Sequence, residues 1–183
     1  MTQEKNLYAI YLGWRIGNCH IEMHDVIFSV GDTIESCYDD VKSKRVGGND
    51  SCHIDAFLIL KYVSGYEVVL SDQAPIEQTQ KLYFVNAGGY QPEKFGENHE
   101  IGFYVAQTQS QATELALQTL LAGQNKVHRD DIYDIDDCIS IEKVNDYYIH
   151  LIPSTKTQDF QPMYLWYGLL NKNLSEKITH HNF

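Results

Sequence analysis

No apolar run in the chain approaches the 18 residues that would suggest a membrane-crossing helix. An export signal is missing too: MTQEKNLYAIYLGW has no basic leader, no long apolar stretch and no small-residue cleavage site. Basic side chains are scarce, 14 Lys and Arg against 25 Asp and Glu, for a net charge of −11. A protein that tracks a nucleic-acid backbone needs a basic face, so nucleic acid is disfavoured as a partner, and no membrane is implied. The four cysteines, Cys19, Cys37, Cys52 and Cys138, show neither CxxC nor disulfide-framework spacing, and without an export signal they read as reduced thiols of a cytoplasmic protein. Walker loop, GxGxxG and GxSxG motifs are all absent. What is left is a 183-residue acidic chain, the size of one medium domain or two small ones packed closely together.

The chain is one unit written twice. Sliding residues 7–55 onto 82–130 without a gap matches Leu7, Tyr8, Gly13, Glu22, His24, Phe28, Val30, Thr33, Gly48, His53 and Asp55 to identical residues. Ordinary residue frequencies would give about three such matches. Past Asp55 the register jumps by six, so that Gly65-Tyr66 faces Asp146-Tyr147, and the extra residues fall in RDDIYDIDD. The repeat divides the chain into a first copy over 1–72, a linker over 73–81 and a second copy over 82–152. An extension over 153–183 is apolar from Phe160 to Leu169, which suits packing back on the body, and its last residues read as a frayed tail.

Each copy reads as strand, strand, helix, strand, strand. His24 to Val30 alternates, with Val26, Phe28 and Val30 on the expected inward face and Asp25, Ile27 and Ser29 on the other. The first helix carries Ile34, Cys37, Tyr38 and Val41 at helical spacing, with Asp32 or Thr33 as cap and Gly47-Gly48 as stop. In the second, Thr108 caps, Ala112, Leu115, Ala116, Leu120 and Leu121 form the buried stripe, and Gly123 ends it. Turns at Ser64-Gly65 and Asn145-Asp146 close a hairpin in each copy. The expected fold is α+β: two tandem ββαββ repeats, antiparallel sheets each with one helix, in a pseudo-twofold packing that imitates a homodimer. A true homodimer stays open.

The sharpest chemical pattern is Glu22-x-His24 followed by His53-x-Asp55, repeated as Glu97-x-His99 and His128-x-Asp130. Residues i and i+2 of a strand point the same way, so each pair presents two polar groups together. Two imidazoles and two carboxylates suit a divalent transition metal, and they suit equally a hydrogen-bond network that fixes loops. The Gly88-Gly89 turn offers backbone amides to a ligand or is simply a tight turn. The aspartates of RDDIYDIDD lack the glycine and glutamate of an EF-hand and read as a solvated loop before a strand over Cys138 to Val144. Cys52-His53 is a poor nucleophilic pair, because neighbours on a strand face opposite sides. Without a basic field, the strand tyrosines read as core and interface rather than base-stacking residues.

The glycine-ended first strand, E-x-H-[DE]-[VI]-x-F-x-V, the H-x-D, the D-x-D-D run and Trp166-Tyr167-Gly168 together resemble the bacterial family catalogued as domain of unknown function 1543. Two departures from its pattern are Trp14 in place of Gly89 and the Met163-Tyr164-Leu165 approach to Trp166. The resemblance implies two copies of the domain and a bacterial cytosolic setting, and it implies no reaction. The balance favours a non-catalytic binding or interaction module for a protein or small molecule, sited at Glu22, His24, His53, Asp55, Glu97, His99, His128, Asp130, Gly88 and Gly89. The alternatives are a metal-dependent enzyme, such as a hydrolase with Glu22 or Glu97 as base, and, behind it, a nucleic-acid module.

Overall fold

The computed structural model describes residues 5–45, 52–90, 93–120, 133–158 and 160–169. Among these residues the chain forms mostly antiparallel sheets with two α-helices, an α+β fold consistent with a duplicated unit. Two compact units divide it: one takes the chain up to Lys61 and resumes at Gln158, the other runs Tyr62–Thr157.

In the first unit, β1 (Asn6–Trp14) lies between β2 (Met23–Gly31) and β3 (His53–Ile59), antiparallel to both. Tyr8, Ile10, Leu12 and Trp14 alternate along β1 into a cluster with Ile34, Cys37, Tyr38 and Val41. Cys37, Tyr38 and Val41 come from a 3-10 turn, Glu35–Cys37, running into α1 (Tyr38–Lys44), and Ile34 caps that turn, so the expected helix starts with a tighter turn. The turn is closed reciprocally: Ser36 N–H donates to Thr33 Oγ1 at 3.4 Å, and Thr33 N–H donates to Ser36 Oγ at 3.3 Å. On β2 the expected inward face is only partly buried, whereas Ile27 and Ser29 on the opposite face are buried. Ile27 belongs to the core cluster that includes Tyr38 and Val41 of α1. Ser29 tolerates burial because its hydroxyl donates to Asp40 Oδ2 on α1 at 2.6 Å. The C-terminal extension adds β11 (Met163–Leu169) beside β3, with Leu165 in the same core cluster. The Gly47-Gly48 stop and the tail from Lys172 lie outside the described residues.

In the second unit, β6 (Lys81–Tyr90) lies between β7 (Glu97–Ala106) and β8 (Tyr133–Ile141). α2 (Gln109–Thr119) starts at Thr108, whose Oγ1 accepts from Gln111 N–H at 3.3 Å. Ala112 and Ala116 are fully buried against Tyr83, Val85, Tyr104, Ala106 and Cys138, and their small size lets the helix approach the sheet. The stripe is narrower than its spacing suggests, because Leu115 faces an open hollow instead and stays 36% exposed. Leu121 and Gly123 lie outside the described residues.

A second sheet of this unit joins the hairpin of β4 (Tyr62–Val63) and β5 (Tyr66–Ser71) to that of β9 (Lys143–Val144) and β10 (Tyr147–Pro153). Its order, β4-β5-β10-β9, is palindromic, with the equivalent strands of the two copies paired at its centre. The turn at Ser64 and Gly65 has φ of 49° and 81°, the left-handed pair that matches hairpin twist. A lone two-stranded hairpin is marginal in water, so joining Val68 to Leu151 and Leu70 to Ile149 secures both.

Candidate functional site

In both units the polar set gathers over a glycine of the central strand. Gly13 on β1 stands opposite His24 on β2 and His53 on β3. Glu22 precedes β2 by one residue and lies on the His24 side. Asp55 owes its place to an irregularity. Tyr11 pairs with Ala56 and Leu12 with Ile54, so Asp55 is the extra residue of a β-bulge, and such a residue re-aims its side chain. A side chain on Gly13 would begin 2.8 Å from Asp55 Oδ2 and 2.9 Å from His53 Nε2, so glycine leaves the room in which they meet.

All four sequence candidates of the first copy converge. His24 Nε2 is 3.9 Å from Glu22 Oε2 and 3.6 Å from Asp55 Oδ2. His53 Nε2 is 3.6 Å from Glu22 Oε1 and 3.0 Å from Asp55 Oδ1. Each carboxylate thus spans both imidazoles, with the side chains between 21% and 37% exposed. Tyr11 stacks on the His24 ring at 5.2 Å and 16°. Burial, and after it the Asp55 carboxylate, push the Tyr11 phenol above its ordinary value, so it stays protonated at neutral pH. Among the described residues no lysine or arginine pairs with Glu22 or Asp55.

The second copy keeps part of this set. Gly88 stands opposite His99 and Asp134, and a bulge between Asn86 and Ala87 leaves Asp136 as the extra residue. Asp136 therefore occupies the place of Asp55, and Asp134 that of His53. The six-residue insertion enters before these positions, earlier than the gapless alignment suggests. His128 and Asp130 lie outside the described residues. His99 Nδ1 is 3.0 Å from Asp136 Oδ2, and its Nε2 is 3.7 Å from Glu97 Oε2. Asn86 Nδ2 donates to the same Asp136 oxygen at 3.2 Å. Asp136 belongs to a strand and not to the solvated loop expected there, because β8 begins at Tyr133. Gly88 and Gly89 are likewise strand residues of β6 rather than a turn. A Cβ on Gly88 would sit 2.5 Å from Asp136 Oδ2 and 2.8 Å from Glu97 Oε1.

Tyr11, Gly13, Asn86 and Asp136 were not among the expected site residues. The sequence did hold a signal for one of them, since Gly13 and Gly88 match across the repeat. No group of three or more His, Cys, Asp and Glu side chains among the described residues is closed, as it stands, into a metal-holding arrangement.

The cysteines lie apart from this chemistry. Cys37, Cys52 and Cys138 are buried, and burial is the main cause that raises each thiol above its ordinary value, while Cys19 is exposed. A water-soluble aromatic disulfide should therefore modify one thiol per native chain at neutral pH and all four after unfolding. Rapid native labelling of Cys52 would contradict its placement in the core.

A family model described as Domain of Unknown Function (DUF1543) matches residues 19–70 and 95–151. The structure is similar to the crystal structure of a protein Il1583 from Idiomarina loihiensis, with a TM-score of 0.72 and 28% identity, covering 92% of this chain and 100% of that one. No curated protein matches the chain. No helix among the described residues is long and apolar enough to cross a membrane.

Proposed function

The chain belongs to the DUF1543 family, whose description assigns no activity, and we propose that it is a non-catalytic binding module that accepts a cation over its strand glycines. The observation that carries this reading is the convergence of Glu22, His24, His53 and Asp55 above Gly13, with no lysine or arginine among the described residues paired to the carboxylates. Carboxylates aimed at one space repel each other until protons or a cation neutralise them. Glycine keeps that space open in both copies.

Two features favour binding over catalysis. Both oxygens of Glu22 already face imidazoles, which suits a ligand better than the free general base that a hydrolase needs. The recess is also open, with His24 37% exposed in the first copy and His99 51% in the second. A hollow of about 500 Å³ beside α2, lined by Tyr66, Gln80, Gln111, Glu114 and Leu115 among others, includes none of the clustered residues.

A ligand that binds only the folded state at a hundred times its Kd adds about 2.7 kcal/mol of stability. The full chain should melt higher in a series of divalent cations and short diamines. The Glu22→Gln/Asp55→Asn double variant should lose most of that shift. Unchanged melting in every cation tried would sink the reading.

A further inference from the structure

The hollow beside α2 draws on both copies of the repeat. Tyr66 comes from the hairpin of the first, Gln80 from the linker, and Gln111, Glu114, Leu115 and Gln118 from α2 in the second. Positions 111, 114, 115 and 118 recur at helical spacing, so they form one stripe along the hollow. Tyr66 is held on both sides of its strand, paired with Val63 and with Pro153. The Gln111 amide is held too. Its Oε1 accepts from Gln107 N–H at 3.1 Å, which leaves Nε2 to donate. Among the described residues, no side-chain hydrogen bond engages Tyr66, Gln80, Glu114 or Gln118.

Leu115 supplies an apolar patch among these polar groups. At the same position the first copy has Asp40, whose carboxylate is taken by Ser29 and Lys44. Leu115 therefore belongs to the hollow and not to the framework that the repeat shares.

We propose that this hollow binds a neutral polyhydroxylated ligand, a saccharide of one or two rings, independently of the cation recess. Its volume of about 500 Å³ is that of a small-ligand site. Charge narrows the class. None of the residues lining it is Lys, Arg or His, and the chain has a net charge of −11, so a phosphate or carboxylate ligand has nothing to pair with. A purely apolar ligand would cover the amides of Gln80, Gln111 and Gln118 without satisfying them. An amine would meet a single carboxylate, Glu114, which is exposed and screened by solvent. Sugar hydroxyls both donate and accept, as side-chain amides do, and the C–H face of a sugar ring suits the Tyr66 ring and Leu115.

The test uses the untagged full chain and saturation-transfer NMR with methyl glucoside, methyl galactoside, N-acetylglucosamine, maltose and cellobiose, and with putrescine and inorganic phosphate as rivals. At least one sugar should bind saturably, with magnetisation reaching its C–H protons. Leu115→Glu and Gln111→Ala should each weaken that sugar at least about tenfold. Gln118→Ala, at an exposed position away from the start of the helix, should weaken it too and guards against a variant that fails to fold. The Glu22→Gln/Asp55→Asn double variant should bind the sugar unchanged. If no sugar of the set binds, or binding ignores Leu115 and both glutamines, the proposal fails. Sugar binding lost in the Glu22 and Asp55 variant would place it in the cation recess and overturn the proposal as well. So would putrescine binding abolished by Glu114→Gln, or phosphate binding abolished by Leu115→Glu, since either makes the hollow a site for charge.

Discussion

Ile10→Ala should lower the stability of the first unit by about 2–5 kcal/mol and its melting temperature by on the order of 10 °C or more. Ile10 is fully buried at the centre of β1, paired with Ile27 on β2 and Phe57 on β3. All three belong to the cluster that α1 closes with Cys37, Tyr38 and Val41. Truncation there removes apolar burial and leaves a cavity that a paired central strand cannot collapse to fill, because its neighbours are hydrogen-bonded on both sides. Both tryptophans of the chain, Trp14 and Trp166, fall in this unit, so intrinsic fluorescence reports its unfolding. Ile21→Ala, at a position 79% exposed, serves as the control and should change stability by no more than about 0.5 kcal/mol. Equal melting of the two variants would contradict the placement of Ile10.

Gly102→Val should cost the second unit roughly 2–4 kcal/mol, from overpacking and a lost hydrogen bond together. A Cβ on Gly102 would meet the end of the Tyr104 ring, 2.6 Å from Oη and 2.7 Å from Cε2. That ring cannot swing aside freely, because Tyr104 Oη shares a 2.6 Å hydrogen bond with Thr119 Oγ1 on α2. Burial also raises the Tyr104 phenol, which keeps the bond between neutral hydroxyls. The first copy reverses the arrangement, with large Ile27 where Gly102 stands and small Ser29 where Tyr104 stands, so the pair keeps its volume across the repeat. In a double-mutant cycle read by urea unfolding, Tyr104→Ala should offset part of the Gly102→Val cost, with a coupling of about 1 kcal/mol or more. Strict additivity would show that the two positions do not compete for space.

The histidines and carboxylates of the first copy were legible because strand alternation leaves a mark within a few residues, to which the repeat adds a second for Glu22 and His24. His24 follows Glu22 at the spacing that puts two side chains on one face, and Asp55 follows His53 in the same way. Their mutual approach was not legible, since it depends on β1 lying between β2 and β3 and on Gly13 standing at the crossing. Asp136 was harder still. A gapless alignment pairs Asp55 with Asp130, and nothing local says that the insertion ends before Asp134. The bulge that selects Asp136 exists only once β8 is hydrogen-bonded to β6.

The sequence by itself determined the duplication, the strand and helix order within each copy, the Thr108 cap and the Ser64-Gly65 turn. These rest on hydrogen bonds and periodicities that span few residues, so the chain carries them wherever it lies. Tertiary structure alone decided that β5 pairs with β10 and that β11 pairs with β3. Strand edges offer the same backbone donors and acceptors to any partner, so the choice falls to side chains remote in sequence that must be buried together. The same reason applies to the site. Each carboxylate and imidazole is written locally, but only the packed strands bring His24 and His53 each within 3.9 Å of both Glu22 and Asp55.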